Sequence, residues 1–156
     1  MENLQPILIP IIGKESGDRW MITGAFDGKA NLTGEWWYNF FIDGHAYKLR
    51  IPYGFDQIDG ASVPRFIAPI VRMGGREMPD EAWLPHDFFY YHKGIMPPGS
   101  LFRSDDVEWK EVAKVSREFA DRVFRNELKS SKHGLSSFKA PVAFIGVRMA
   151  FWKRWE

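Results

Sequence analysis

The sequence predicts an α+β fold, with an antiparallel β-hairpin sheet in the N-terminal half packed on a C-terminal helical half. Three observations carry this. Turn dipeptides punctuate the first half at Asp27-Gly28, Asp43-Gly44 and Asp59-Gly60, where glycine takes positive φ at little cost. Apolar residues recur at three and four between Asp105 and Lys129, the period of a helix with one buried face. No internal repeat, low-complexity tract or linker interrupts the 156 residues, a length that suits one domain (1–156) with a sizeable core.

The strands come first. Glu35–Ile42 and His45–Ile51 are aromatic and aliphatic runs flanking Asp43-Gly44, the pattern of a hairpin. A further strand is expected around Trp20–Phe26 and an edge segment near Ile7–Ile12. Pro52-Tyr53-Gly54 ends the hairpin, and residues 56–79, rich in Gly and Pro, read as a structured loop.

The helices follow. One is expected to start near Pro85, tolerated in a first turn because its missing N–H loses nothing there, and to end by Gly94. Pro97-Pro98-Gly99 is a break. A long helix is expected over Asp105–Lys129, capped by Ser104 or Asp105, with Asp105 and Glu108 at capping-box spacing. A last helix is expected from about Phe138 to Trp152, and Phe144, Val147, Phe151 and Trp155 fall at spacings that make one apolar face.

Composition bounds the function. Seven Trp, thirteen Phe and five Tyr bring aromatics to 16%, enough for the core and for an aromatic contact surface besides. The net charge of +1 gives no global pull on nucleic acid, so none is expected as a partner. The absence of Cys excludes disulfides, thiolate metal sites and a cysteine nucleophile. Glu2 and the two prolines in 6–12 do not make a signal peptide, and Ala140–Trp152 is too short to span a bilayer. The expected location is the cytoplasm or an assembled particle.

Three constellations carry possible chemistry. On a helix His86 and Tyr90 share a face, while Asp87 points about 100° away. That suits a division of labour in which the imidazole acts on a water and the carboxylate holds a metal. The plainer alternative is an acidic residue near a helix start beside a packed histidine. Arg117, Asp121, Phe124 and Leu128 lie together at the edge of an apolar stripe, from which Asp121 can reach His86 and set its tautomer. The alternative is a surface Arg117–Asp121 pair. Asp59, Gly60 and Ser62 offer oxygens and a permissive backbone to a hard cation, and equally the bonds of a tight turn. The spacing of His45, His92 and His133 indicates no zinc site.

Four motifs stand in order: Pro52-Tyr-Gly-Phe55, Asp59-Gly-Ala-Ser-Val-Pro-Arg65, His86-Asp-Phe-Phe-Tyr90 and Ser116-Arg-Glu-Phe-Ala-Asp-Arg-Val-Phe124. Together they resemble domain-of-unknown-function family 1353, found in tailed phages, prophages and bacteria, from about Glu35 to Trp155. The chain departs from that pattern in one extra residue between Phe55 and Asp59, with Ile58 in place of the usual Thr, and in a long stretch between Tyr90 and Ser116. His-Asp-x-x-Tyr on one helix with an Asp on a second is also similar to the secreted and parvoviral phospholipase A2 pattern. That likeness implies that His86 activates water, Asp87 binds Ca²⁺ and Asp121 orients the imidazole; the site expected on this basis adds Asp59 as a further Ca²⁺ ligand, with Tyr90, Arg117 and Arg65 in support. It lacks the glycine-rich calcium loop upstream. The function expected is ester hydrolysis of a lipid or cell-envelope component in a phage-associated protein. The alternative is a virion or assembly component that uses its aromatic surface against other phage proteins.

Overall fold

A computed structural model describes residues 5–10, 20–26, 35–57 and 80–129, together with Ile145 and Trp155. The chain divides into two compact units: Met1–Gly60 with Ile95–Val115, and Ala61–Gly94 with Ser116–Glu156. Sheet structure fills the described part of the first and helices that of the second, which makes the fold α+β.

In the first unit, β1 (Gln5–Pro10) pairs antiparallel with β2 (Trp20–Phe26), with a register shift between Ile7 and Leu8. A four-stranded antiparallel sheet runs β3 (Glu35–Ile42), β4 (His45–Pro52), β5 (Leu101–Asp105) and β6 (Glu108–Glu111), each paired with the next. The β3–β4 hairpin matches the expectation. Asp43 and Gly44 take φ of 53° and 81°, the two positive values that a twisted two-residue turn requires. Alternation then sorts the side chains. Trp36, Tyr38, Phe40 and Ile42 of β3 are buried, as are Tyr47, Leu49 and Ile51 of β4. Trp36, Tyr38, Phe40 and Tyr47 stack in sequence with ring centroids 5.3, 5.4 and 5.2 Å apart.

The sheet takes β5 and β6 from the chain's second half, which corrects the expected helix over Asp105–Lys129. Asp105 does not cap a helix. It ends β5, pairs with Glu108 across a turn, and accepts from Arg103 and Lys110 at 3.0 and 3.1 Å. Asp106 inside that turn has φ 57°, a conformation asparagine and aspartate tolerate better than most residues. Helical periodicity through Val112 and Val115 was produced by residues that lie after β6, ahead of the helix.

In the second unit, α1 spans Asp80–Tyr91 and α2 spans Arg117–Lys129. Helix α1 begins five residues before Pro85, which therefore sits inside the helix and leaves one carbonyl of the preceding turn without its helical donor. It ends as expected before Gly94. Lys93 N–H donates to the Tyr90 carbonyl and Gly94 N–H to the Phe89 carbonyl, the paired bonds of a Schellman stop, with Lys93 at φ 49°. Helix α2 is capped by Ser116, whose Oγ accepts from Phe119 N–H at 3.1 Å. Glu118 in its first turn and Lys129 in its last suit the helix dipole.

Ile145 and Trp155 are helical, and Ile145 is exposed. Phe144, Val147, Phe151 and the rest of the expected terminal helix lie outside the described residues, as does the loop over 58–79. No helix among the described residues is long and apolar enough to cross a membrane.

Candidate functional site

Over Leu84–Tyr90 each residue of helix α1 is buried, so that stretch is covered on every side, and Tyr91 at its end is exposed. His86 and Asp87 point about 100° apart on it, yet both are shielded, with His86 1% exposed. On α2 the apolar residues Phe119, Val123, Phe124 and Leu128 are buried, and Asp121 is buried beside them. Ionic groups from two helices therefore meet inside packed surroundings, where each must find a compensating partner.

The partners are close. Tyr90 Oη donates to Asp121 Oδ1 at 2.6 Å, and Arg117 Nε donates to Tyr90 Oη at 3.1 Å. Arg117 Nε also lies 3.8 Å from Asp121 Oδ2. His86 stands between two carboxylates, with Nε2 3.6 Å from Asp121 Oδ1 and Nδ1 3.8 Å from Asp87 Oδ1. Both separations are ion-pair contacts slightly longer than hydrogen bonds. The imidazole is also held by rings, at 4.2 Å from Tyr90 and 5.0 Å from Phe124. Trp155 packs edge-on against Tyr90 at 5.0 Å.

Sequence reasoning expected Asp121 to accept from His86. The short bond to Asp121 comes from Tyr90 instead, and the imidazole faces the same oxygen at longer range. The two-helix edge argument thus brought His86 and Asp121 together but did not foresee the shorter bond from Tyr90. Four expected site residues, His86, Tyr90, Arg117 and Asp121, come together with Asp87 at their edge. Asp59 and Arg65 lie outside the described residues.

The electrostatics follow from burial and neighbours. Burial pushes the His86 pKa down, but Asp121 and Asp87 outweigh it, and the net direction is up. Burial pushes Asp121 up, and the facing His86 and Tyr90 more than reverse it, so its pKa falls. Tyr90 is raised by burial and by Asp121, against the opposing pull of Arg117, so the phenol stays protonated and remains a donor. The cluster of His86, Asp87, Arg117 and Asp121 is charge-neutral when the imidazole is protonated. A hard cation wants about six to eight oxygens. Asp87 is the described carboxylate on the Nδ1 side, and among the described residues no group of three ligand side chains is arranged to hold an ion.

A family model described as "Protein of unknown function (DUF1353)" matches residues 35–147. The chain belongs to the DUF1353 family. The match spans the hairpin, the strands β5 and β6, both helices and all five residues of the His86 cluster. No curated protein and no solved structure matches the chain. The family carries no assigned activity, so what this DUF1353 member does has to be argued from the cluster.

Proposed function

We propose that this protein is a small hydrolase-like member of a phage-associated family, acting on an ester of a lipid or cell-envelope component through His86. The observation that carries the reading is the placing of His86 between Asp121 and Asp87, with Asp121 itself fixed by Tyr90 and Arg117. Asp121 holds the Nε2 side, which leaves Nδ1 as the basic nitrogen. In the deprotonated state Nδ1 takes a proton from water as the water oxygen bonds to the ester carbonyl carbon. The imidazolium then returns the proton to the departing alkoxide as the carbon–oxygen bond breaks. Asp121 orients the ring and offsets its transient charge. A bound Ca²⁺ at Asp87 would supply Lewis-acid polarisation of the carbonyl. The likeness to the phospholipase A2 pattern supports the same assignment of roles.

The burial of His86 favours a second reading, in which the cluster locks α1 to α2 in a virion or assembly component. Exposed aromatic residues outside the four-stranded sheet, Tyr91 among them, then supply contacts to other phage proteins. One experiment separates the two. The purified protein and its His86→Asn variant are assayed on short-chain nitrophenyl esters and on phospholipid vesicles, with and without Ca²⁺. Turnover by the wild type alone supports the hydrolase. A folded wild type with no turnover, co-sedimenting with virions, supports the structural component.

A further inference from the structure

The outward face of the four-stranded sheet carries a second set of residues. Register places them on one side: Trp37 opposite Arg50, Lys48 opposite Phe102, and Trp109 opposite Ser104. Trp37 stacks on Phe102 at 6.3 Å, and the Lys48 ammonium sits 4.1 Å over the Trp109 ring, which holds that indole in place. These rings are not covered: Trp37 is 36%, Trp109 43% and Phe41 67% exposed. Phe41 lies four residues along β3 from Trp37, about 13 Å, and β6 is three strands from β3, about 14 Å. The three rings therefore mark out a platform with polar groups between them.

The charges on that platform balance. Arg50 pairs with Glu35 at 3.0 Å, and Lys48 shares the face with Glu111, which accepts from Gly99 N–H. A polyanion needs an excess of cations, and this face has none. The core of a protein interface is depleted of charge, whereas here charged groups stand between the rings. A lipid surface is held by a continuous apolar face and by cations in excess, whereas here Asn39, Lys48, Arg50 and Glu111 interrupt the rings and their charges balance. Flat aromatic rings interleaved with paired donors and acceptors suit a neutral sugar chain. Its C–H faces stack on the electron-rich rings while its hydroxyls bond the carboxylates, ammonium and guanidinium.

We propose that this sheet face is a binding site for a neutral glycan chain, seated on Trp37, Phe41 and Trp109. The inference stands apart from the hydrolase reading and survives its failure. The test uses the full chain with three probes: cellotetraose, the tetramer of N-acetylglucosamine, and a twenty-nucleotide oligothymidine. Titration calorimetry and tryptophan emission are read at low and high salt, and sedimentation reports self-association. The expected result is saturable binding of at least one tetrasaccharide, unchanged by salt and weakened at least tenfold in Trp109→Ala. Phe41→Ala, at an exposed position that folding does not need, should weaken it as well. Absence of binding to both tetrasaccharides overturns the proposal, as does binding that persists in both variants. Oligothymidine binding lost in salt, or a dimer dissolved by Trp109→Ala, with no sugar binding, likewise assigns the face to another occupant.

Discussion

Replacing Tyr90 by Phe removes one oxygen atom from the centre of the cluster and leaves the ring contacts with His86 and Trp155 in place. Two bonds go with it: the donation to Asp121 at 2.6 Å and the acceptance from Arg117 at 3.1 Å. Hydrogen bonds to charged groups contribute about 1.5–3 kcal/mol each. Arg117 recovers part of the loss, because its Nε already lies 3.8 Å from Asp121 Oδ2 and closes onto that oxygen once the phenol is gone. The expected net cost is about 2 kcal/mol, which for a chain of this length lowers Tm by about 4–8 °C. Calorimetry and urea unfolding at neutral pH measure it. Tyr90→Phe, Asp121→Asn and the double variant complete a cycle whose coupling should be about 1 kcal/mol or more. A Tm within about 1 °C of wild type, with no coupling, would refute the view that Tyr90 fixes Asp121.

Three further outcomes are expected. The raised His86 pKa makes its stabilising contribution complete below about pH 6.5, the unfolded value, and lost as pH rises through the higher folded value; unfolding midpoints of wild type and His86→Gln across pH 6–10 should converge at the alkaline end, and parallel curves would contradict the linkage. If His86 is the base, the same shift puts the rising limb of the pH–rate profile on the alkaline side of 6.5, and a limb below it would exclude His86 from that role. Titration calorimetry with Ca²⁺ should give binding that Asp87→Asn removes, and no heat in the wild type would remove the metal from the mechanism.

How far these features were legible in the sequence depended on whether the signal was local. Asp43-Gly44 between alternating apolar runs defines its hairpin from nearest neighbours alone, and β3 and β4 form there to within a residue. The expected helix over Asp105–Lys129 failed because its stripe was assembled across a real boundary. Phe119, Val123 and Phe124 belong to a helix capped by Ser116. Val112 and Val115 reach the same three- and four-residue spacing by chance, from the end of a hairpin. Two local signals mark the error in hindsight: Ser116 with Glu118 following it, and the long stretch between Tyr90 and Ser116, whose surplus length is occupied by β5 and β6. Pro85 misled in the opposite direction. Its preference for a first turn placed the start of α1 too late, although Asp80 and Glu81 put acidic residues where a helix N-terminus favours them.

The cluster itself was visible because buried charge is expensive and therefore constrained. His86, Asp87 and Asp121 would each cost several kcal/mol if buried alone, so an apolar helix that carries two of them implies groups of opposite charge nearby. Replacing such clusters with apolar side chains is often neutral or stabilising, so a need for stability is a weak reason for one to exist. The same argument makes the two functional readings unequal in what they require. A lock between α1 and α2 needs only that the charges cancel, which they do with the imidazole protonated. A catalytic base needs the imidazole to lose that proton and leave Asp87 and Asp121 facing a neutral ring. Asp121 tolerates this state because Tyr90 and Arg117 remain on it. Asp87 faces the imidazole at Nδ1, and so the hydrolase reading turns on what balances Asp87 once that proton is gone. That makes Asp87→Asn the informative variant: it should lower the His86 pKa in either case, abolish turnover if a bound cation is required, and lower stability if the cluster is only a lock, because the buried imidazolium is left with one facing carboxylate instead of two.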